Sequence, residues 1–236
     1  MADLDKSRQA VLARIAVALS AAGRQPDACQ LLAVSKTFPA EAVRQCYATG
    51  QRAFGENYVQ ELQEKVVALA DLADIEWHFI GPLQSNKSRT VAELAHWVHG
   101  IDRLKIAERL SAQRPANLPL LNVCVQVNVS GEASKSGCTP AEAVALAQAV
   151  AGLPRLRLRG LMCLPEPGAV DLAAQFALLR SLSDTLRSTG LALDTLSMGM
   201  SADLETAIAQ GSTLVRVGTA LFGARHTVAA PAPVKE

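Results

Sequence analysis

Apolar residues fall along this chain in two alternating rhythms. Short aliphatic runs such as Leu31-Leu32-Ala33-Val34 can be buried on both faces, and each is followed by a stretch with apolar positions three and four apart. The first stretch, residues 4–22, sets Leu4, Val11, Leu12, Ile15 and Leu19 near one helical face and stops at Gly23 with Pro26 beyond. It predicts an opening helix. Strands are then predicted over 31–36, 52–56, 76–80, 97–101, 121–129, 156–162, 195–198 and 213–217. Helices are predicted between them, several started by a proline (Pro39, Pro140) or stopped by a glycine (Gly50). Eight strands alternating with helices, with no long linker, is the count of a (β/α)8 TIM barrel, here over residues 1–226 with an extra N-terminal helix. A doubly wound sheet is the alternative, but it needs no eighth strand. Residues 227–236 are low in complexity and read as a disordered tail.

Composition narrows the function classes. Lys plus Arg is 23 and Asp plus Glu is 22, a net charge of +1 that offers no general attraction to nucleic acid or to an anionic membrane. No apolar run approaches the roughly 20 residues of a membrane span. The 5 cysteines are odd in number, widely spaced and without a Cys-x-x-Cys pair, which fits a reducing cytoplasm better than disulfides or zinc. His96 and His99 stand three apart but straddle a helix end and a strand, with no ligand set beside them. Arg155, Arg157 and Arg159 sit near a strand start and read as exposed.

In a barrel of parallel strands, the strand C-termini and the loops after them share one mouth. Those positions collect Lys36, Glu56-Asn57, His78, Gln84, Asn86-Lys87, Asn128, Lys135, Met162-Cys163, Ser197 to Ser201 and Arg216 to Thr219. Asn128 in an apolar strand and Arg216 between two valines are the sharper members, because buried polar groups need partners. Gly199-Met200-Ser201 and Gly218-Thr219 are small, donor-rich turns of the kind that hold a phosphate, although Ser201 could equally cap a helix starting at Ala202 or Asp203. An amine and a phosphate cradle in one pocket suggest a phosphorylated aldehyde held as a Schiff base, and pyridoxal 5'-phosphate is the commonest such ligand.

Five motifs in order, Ala33-Val34-Ser35-Lys36, Gly55-Glu56-Asn57-Tyr58, His78-Phe79-Ile80-Gly81 with Gln84 and Asn86-Lys87, Ser197-Met198-Gly199-Met200-Ser201, and Arg216-Val217-Gly218-Thr219, resemble the pyridoxal-phosphate homeostasis proteins. The likeness runs from about Leu31 to Gly223. It implies a barrel like the N-terminal domain of alanine racemase, a fold-type III pyridoxal-phosphate protein. It implies that Lys36 carries the cofactor, that Ser201, Gly218 and Thr219 hold its phosphate, that Arg216 faces the pyridine nitrogen, and that Asn57, His78 and Met198 line the ring. It also implies a non-catalytic cytoplasmic carrier that buffers the cofactor, a monomer with transient contacts to pyridoxal-phosphate-dependent apoenzymes. Racemase-like enzymes complete their site with a second domain and a partner's tyrosine; here the only tyrosines are Tyr47 and Tyr58, and Tyr58 reads as packing. A racemase-like enzyme and an aldolase-type Schiff-base barrel are the alternatives, and Lys135 is a candidate second amine.

Overall fold

The computed structural model describes residues 3–132, 136–166, 168 and 170–223. Its strands are β1 (Gln30–Val34), β2 (Ala53–Glu56), β3 (Glu76–Phe79), β4 (Trp97–Ile101), β5 (Leu121–Gln126), β6 (Leu156–Met162), β7 (Thr195–Ser197) and β8 (Leu214–Val217). Each pairs in parallel with the next, and β8 returns to β1, so the sheet closes as the expected barrel. The helices are α1 (Leu4–Ala21), α2 (Ala40–Ala48), α3 (Val59–Ala68), α4 (Ser88–Leu94), α5 (Leu104–Gln113), α6 (Pro140–Ala151), α7 (Leu172–Ser188), α8 (Leu204–Ala209) and α9 (Thr219–Phe222).

Local chemistry sets the boundaries. At α6, Thr139 accepts from the Glu142 backbone while Glu142 reaches back to the Thr139 N–H, and Pro140 supplies the first helical position. β5 ends at Gln126, three residues before the predicted end, because the chain doubles back: Cys138 N donates to Gln126 O and Asn128 N to Cys138 O. Asn128 therefore lies outside the strand, its Nδ2 donating to Glu132 O and its Oδ1 accepting from Ser130 Oγ. α9 is a single turn, and α1 packs across α8, α9 and α2. The opening helix thus covers the flank that a longer last helix would cover, burying Val11, Ile15, Ala18 and Leu19.

One apolar shell lies between strands and helices, and a smaller cluster of Trp97, Cys124 and Met162 lies apart from it. Arg159 is half-buried, its guanidinium 4.6 Å above the Trp97 ring and bonded to Asp194. That corrects the expectation of an exposed side chain; Arg157 is exposed as expected. All five cysteines are buried thiols. Among the described residues no helix is long and apolar enough to cross a membrane. The tail expected to be disordered and Lys135 lie outside the described residues.

Candidate functional site

At the C-terminal end of the barrel a cavity of about 270 Å³ is lined by residues from β1, the ends of β2 and β3, and the loops after β6, β7 and β8. Six of the eight residues singled out in the sequence, Lys36, Asn57, Ser201, Arg216, Gly218 and Thr219, line it together. Val34, Ile80, Leu164, Met200 and Ala202 complete the wall. These apolar positions carry no distinguishing signal in one sequence.

Lys36 stands two residues past the end of β1, and continued alternation sends Val34 and Lys36 into the cavity while Ser35 faces the helices. Its backbone is pinned on both sides. Ser35 N donates to Gly55 O, Ser35 O accepts from Lys65 Nζ at 2.8 Å, and Thr37 N donates to Glu61 Oε2 at 2.7 Å. Thr37 sits at φ 68, a left-handed conformation costly for a β-branched residue and held here by that bond to α3. Lys65 also bonds Glu56 Oε1 at 2.7 Å and Glu61 at 3.1 Å, and Ser35 Oγ donates to Glu56 Oε1 at 2.6 Å. This buried network behind the strand escapes a sequence reading. Its trace there is the Glu61, Lys65 spacing of four on α3.

Glu56 therefore points away from the cavity, and burial pushes its carboxyl up to about 7 against the pull of Lys65 and Ser35. The folded chain then holds a proton between the ordinary carboxyl range and pH 7 that the unfolded chain has released. This contribution to stability is present below the unfolded value and lost as pH rises through 7. Glu56→Gln is expected to flatten that fall by about 2 kcal/mol, read as unfolding free energy against pH from 4.5 to 7.5. Parallel curves for the two proteins would contradict the assignment.

The two small turns take shape as predicted. Gly199 adopts φ 96, and a Cβ there would lie 2.6 Å from Ala207 Cβ, so only glycine lets this loop pack. The loop is held by Met200 N donating to Asp203 Oδ1 at 2.5 Å and by Arg14 on α1, which donates to Ser201 O at 3.0 Å and grips Glu205 at 2.7 and 2.9 Å. α8 begins at Leu204 with Asp203 before it, so Ser201 caps no helix. A Cβ on Gly218 would stand 3.1 Å from Val34 O, which explains the glycine where β8 meets β1.

Arg216 is 4% exposed and donates to Ser197 O at 2.6 Å, Ser197 Oγ at 2.7 Å and Cys163 O at 2.8 Å. All three acceptors are neutral. Since no acidic residue lines the cavity among those described, its permanent charge is available to an anionic ligand. Asn57 Oδ1 is buried with no hydrogen-bond partner, an acceptor left for a ligand donor.

His78 and Met198 do not line the cavity. Met198 continues β7 with its side chain in the apolar shell, one position out of phase with inward-facing Ser197. His78 is 1% exposed inside the barrel, stacked on Trp97 and bonded to His99. His96 is separate: its Nδ1 accepts from Trp77 N. Tyr58 is 58% exposed rather than packed, and with Gln84 and Lys87 it borders a neighbouring cavity of about 630 Å³ that also touches Asn57.

An amine, three hydroxyl or glycine donors, a permanent cation and an unpartnered amide oxygen around one small cavity fit a phosphorylated aldehyde of the size of pyridoxal phosphate. Comparison with known proteins points the same way. The chain matches the family profile described as alanine racemase, N-terminal domain, over residues 7–226. It is 64% identical over 215 residues to the pyridoxal phosphate homeostasis protein of Pseudomonas aeruginosa, covering 91% of this chain and 93% of that one. To the protein of the same name from Escherichia coli K12 it is 53% identical over 230 residues, covering 95% and 98%. The structure of PipY from Synechococcus elongatus with PLP bound superposes with a TM-score of 0.79 at 41% identity, covering 89% of this chain and 100% of that chain. By sequence, fold and the residues gathered at the barrel mouth, the chain belongs to the pyridoxal phosphate homeostasis protein family, within the wider family of alanine racemase N-terminal domains.

Proposed function

We propose that this protein binds pyridoxal 5'-phosphate at the barrel mouth through Lys36 and serves in cofactor homeostasis as a carrier or buffer rather than as an enzyme. The observation that carries the reading is the convergence of Lys36 with Ser201, Gly218 and Thr219 on one cavity without a carboxylate. When bound, the cofactor supplies an aldehyde open to attack by an amine and a phosphate dianion. Lys36 supplies the amine, and the hydroxyls of Ser201 and Thr219 supply phosphate donors at a turn where Gly218 keeps the backbone close. Arg216 holds a charge it cannot lose, so a ring nitrogen beside it stays unprotonated, which weakens the ring as an electron sink. That electronic setting suits holding the cofactor more than broad carbanion chemistry.

Neither tyrosine lines the cavity: Tyr47 is bonded to Asp74 on the outer face, and Tyr58 borders the neighbouring cavity. In this reading the protein acts in the cytoplasm as a monomer and meets pyridoxal-phosphate-dependent apoenzymes only transiently. The loaded protein is expected to racemise no common amino acid. Turnover of alanine near a typical enzyme's roughly 10 per second would replace the carrier reading with a racemase-like one. Ser201→Ala and Thr219→Val should each weaken pyridoxal phosphate binding about tenfold, the loss of one charge-assisted hydrogen bond, and leave binding of pyridoxal unchanged in equilibrium titrations. Equal losses for both ligands would remove the hydroxyls from the phosphate site.

A further inference from the structure

Two histidines inside the barrel are left over once the cavity has been described. His78 on β3 and His99 on β4 are 1% and 0% exposed, and buried imidazoles persist where their nitrogens have partners. Their contacts run from one end of the barrel to the other. At the cavity, Arg216 Nη1 donates to Ser197 Oγ at 2.7 Å. Ser197 Oγ lies 2.8 Å from His99 Nδ1, and His99 Nε2 lies 2.9 Å from His78 Nδ1. His78 Nε2 makes no hydrogen bond and faces the charge of Glu76 Oε2 at 3.5 Å, at the first residue of β3, where the Glu76 side chain is 43% exposed. Trp97 donates to the other Glu76 oxygen at 2.5 Å and stacks on His78 with planes 8° apart.

The carboxylate end decides where every proton points. A guanidinium only donates and an ionised carboxylate only accepts. His78 Nε2 faces an ionised carboxylate across 3.5 Å, so its proton sits on that nitrogen and its Nδ1 accepts. His99 then donates through Nε2 and accepts at Nδ1 from Ser197 Oγ. The arginine end agrees, since a hydroxyl with two lone pairs and one proton can accept from Arg216 while donating to His99. A cationic His99 would break the sequence and leave two buried cations joined through one hydroxyl; burial holds both imidazoles below their ordinary range, His99 well below it.

We propose that Ser197 and His99 are positioning residues for Arg216, through a one-directional hydrogen-bond chain from Arg216 by way of Ser197 and His99 to His78, in which the Glu76 carboxylate facing His78 Nε2 fixes both imidazoles as Nε2–H tautomers. Arg216 relies on neutral acceptors, two of them backbone carbonyls, and Ser197 Oγ is the one acceptor that can rotate. His99 determines which way that hydroxyl turns, and so whether its lone pairs face the guanidinium. The effect on bound cofactor rests on the function proposed above; the tautomer assignment does not.

The test starts with ¹⁵N-labelled, ligand-free protein, in which long-range ¹H–¹⁵N correlation spectra distinguish the two imidazole tautomers and the imidazolium. Both His78 and His99 are expected as Nε2–H at neutral pH; an Nδ1–H tautomer or an imidazolium at either residue overturns the chain. His99→Leu and His99→Gln are then titrated with pyridoxal phosphate. The leucine variant should bind roughly tenfold more weakly, and the glutamine variant should recover part of the loss, because its amide oxygen can accept from Ser197. Wild-type affinity in His99→Leu overturns the positioning role. A wild-type protein that binds no pyridoxal phosphate overturns the cofactor reading instead, and the ligand-free spectrum still decides the chain.

Discussion

Lys36→Ala is expected to abolish borohydride-trappable attachment of pyridoxal phosphate and to weaken its binding by at least about a hundredfold, with the fold retained. Lys36 is the one amine lining the cavity among the described residues, and it is partly exposed, so its removal leaves no large buried void. The nearest buried alternative, Lys65, cannot take over. Its Nζ is held by Ser35 O, Glu56 and Glu61 at 2.7–3.1 Å on the helix side of the strand, and freeing it would leave Glu56 uncompensated in the interior. The residual affinity expected of the alanine variant is that of the phosphate donors and Arg216. Mass spectrometry after borohydride and digestion checks the site, and calorimetric titration checks the affinity. An undiminished adduct in Lys36→Ala would move covalent capture to another amine, with Lys135 the first to examine.

The second large effect concerns closure of the barrel. Gly160 on β6 pairs with Thr195 on β7, and a Cβ at Gly160 would stand 1.7 Å from Thr195 O, inside a backbone that has no soft side chain to give way. β7 is three residues long, so a displaced Thr195 cannot be compensated further along the strand. Gly160→Ala is therefore expected to cost more than about 4 kcal/mol and to yield insoluble protein, a large part of the roughly 5–15 kcal/mol that holds a domain folded. Gly152→Ala is the matched control. There the backbone is at φ −80, and the added carbon would come no nearer than 3.6 Å to Ala149 O. That variant should be as stable as the parent or up to about 1 kcal/mol more so. Soluble yield and thermal midpoint decide the pair, and a soluble Gly160→Ala with an unchanged midpoint would mean that β6 and β7 can separate without loss of the barrel.

Much of the site is legible in the chain because strand ends and turns are local features. Lys36 after a doubly buried run, glycine with a hydroxyl after each of the last two strands, and Arg216 between valines can each be marked without coordinates. Five of these marks, Lys36, Ser201, Arg216, Gly218 and Thr219, meet at one cavity. Asn128 looks as sharp, yet it stabilises its own loop. Nothing local distinguishes an asparagine whose side-chain oxygen is buried without a hydrogen-bond partner, as that of Asn57 is, from one bonded to its neighbours. Arg14 carries no sign of its task either, since its contacts lie 187 and 191 residues away.

Alternation of apolar runs and helical stretches was sufficient for the barrel and its mouth, and the strand-end lysine with the two small turns and the family motifs for the class of ligand. The barrel and its mouth follow from periodicities of two and 3.6 and from backbone rules that act within a few residues. Which way each strand-end side chain faces was decided only in the closed barrel. A shift of one position exchanges the interior for the helix-covered face, so Met198 joined the outer shell and Glu56 met Lys65. Depth along the barrel was decided there too: His78 lies within the hydrogen-bond file below the cavity, not on its wall, because neighbouring strands set its height through their register.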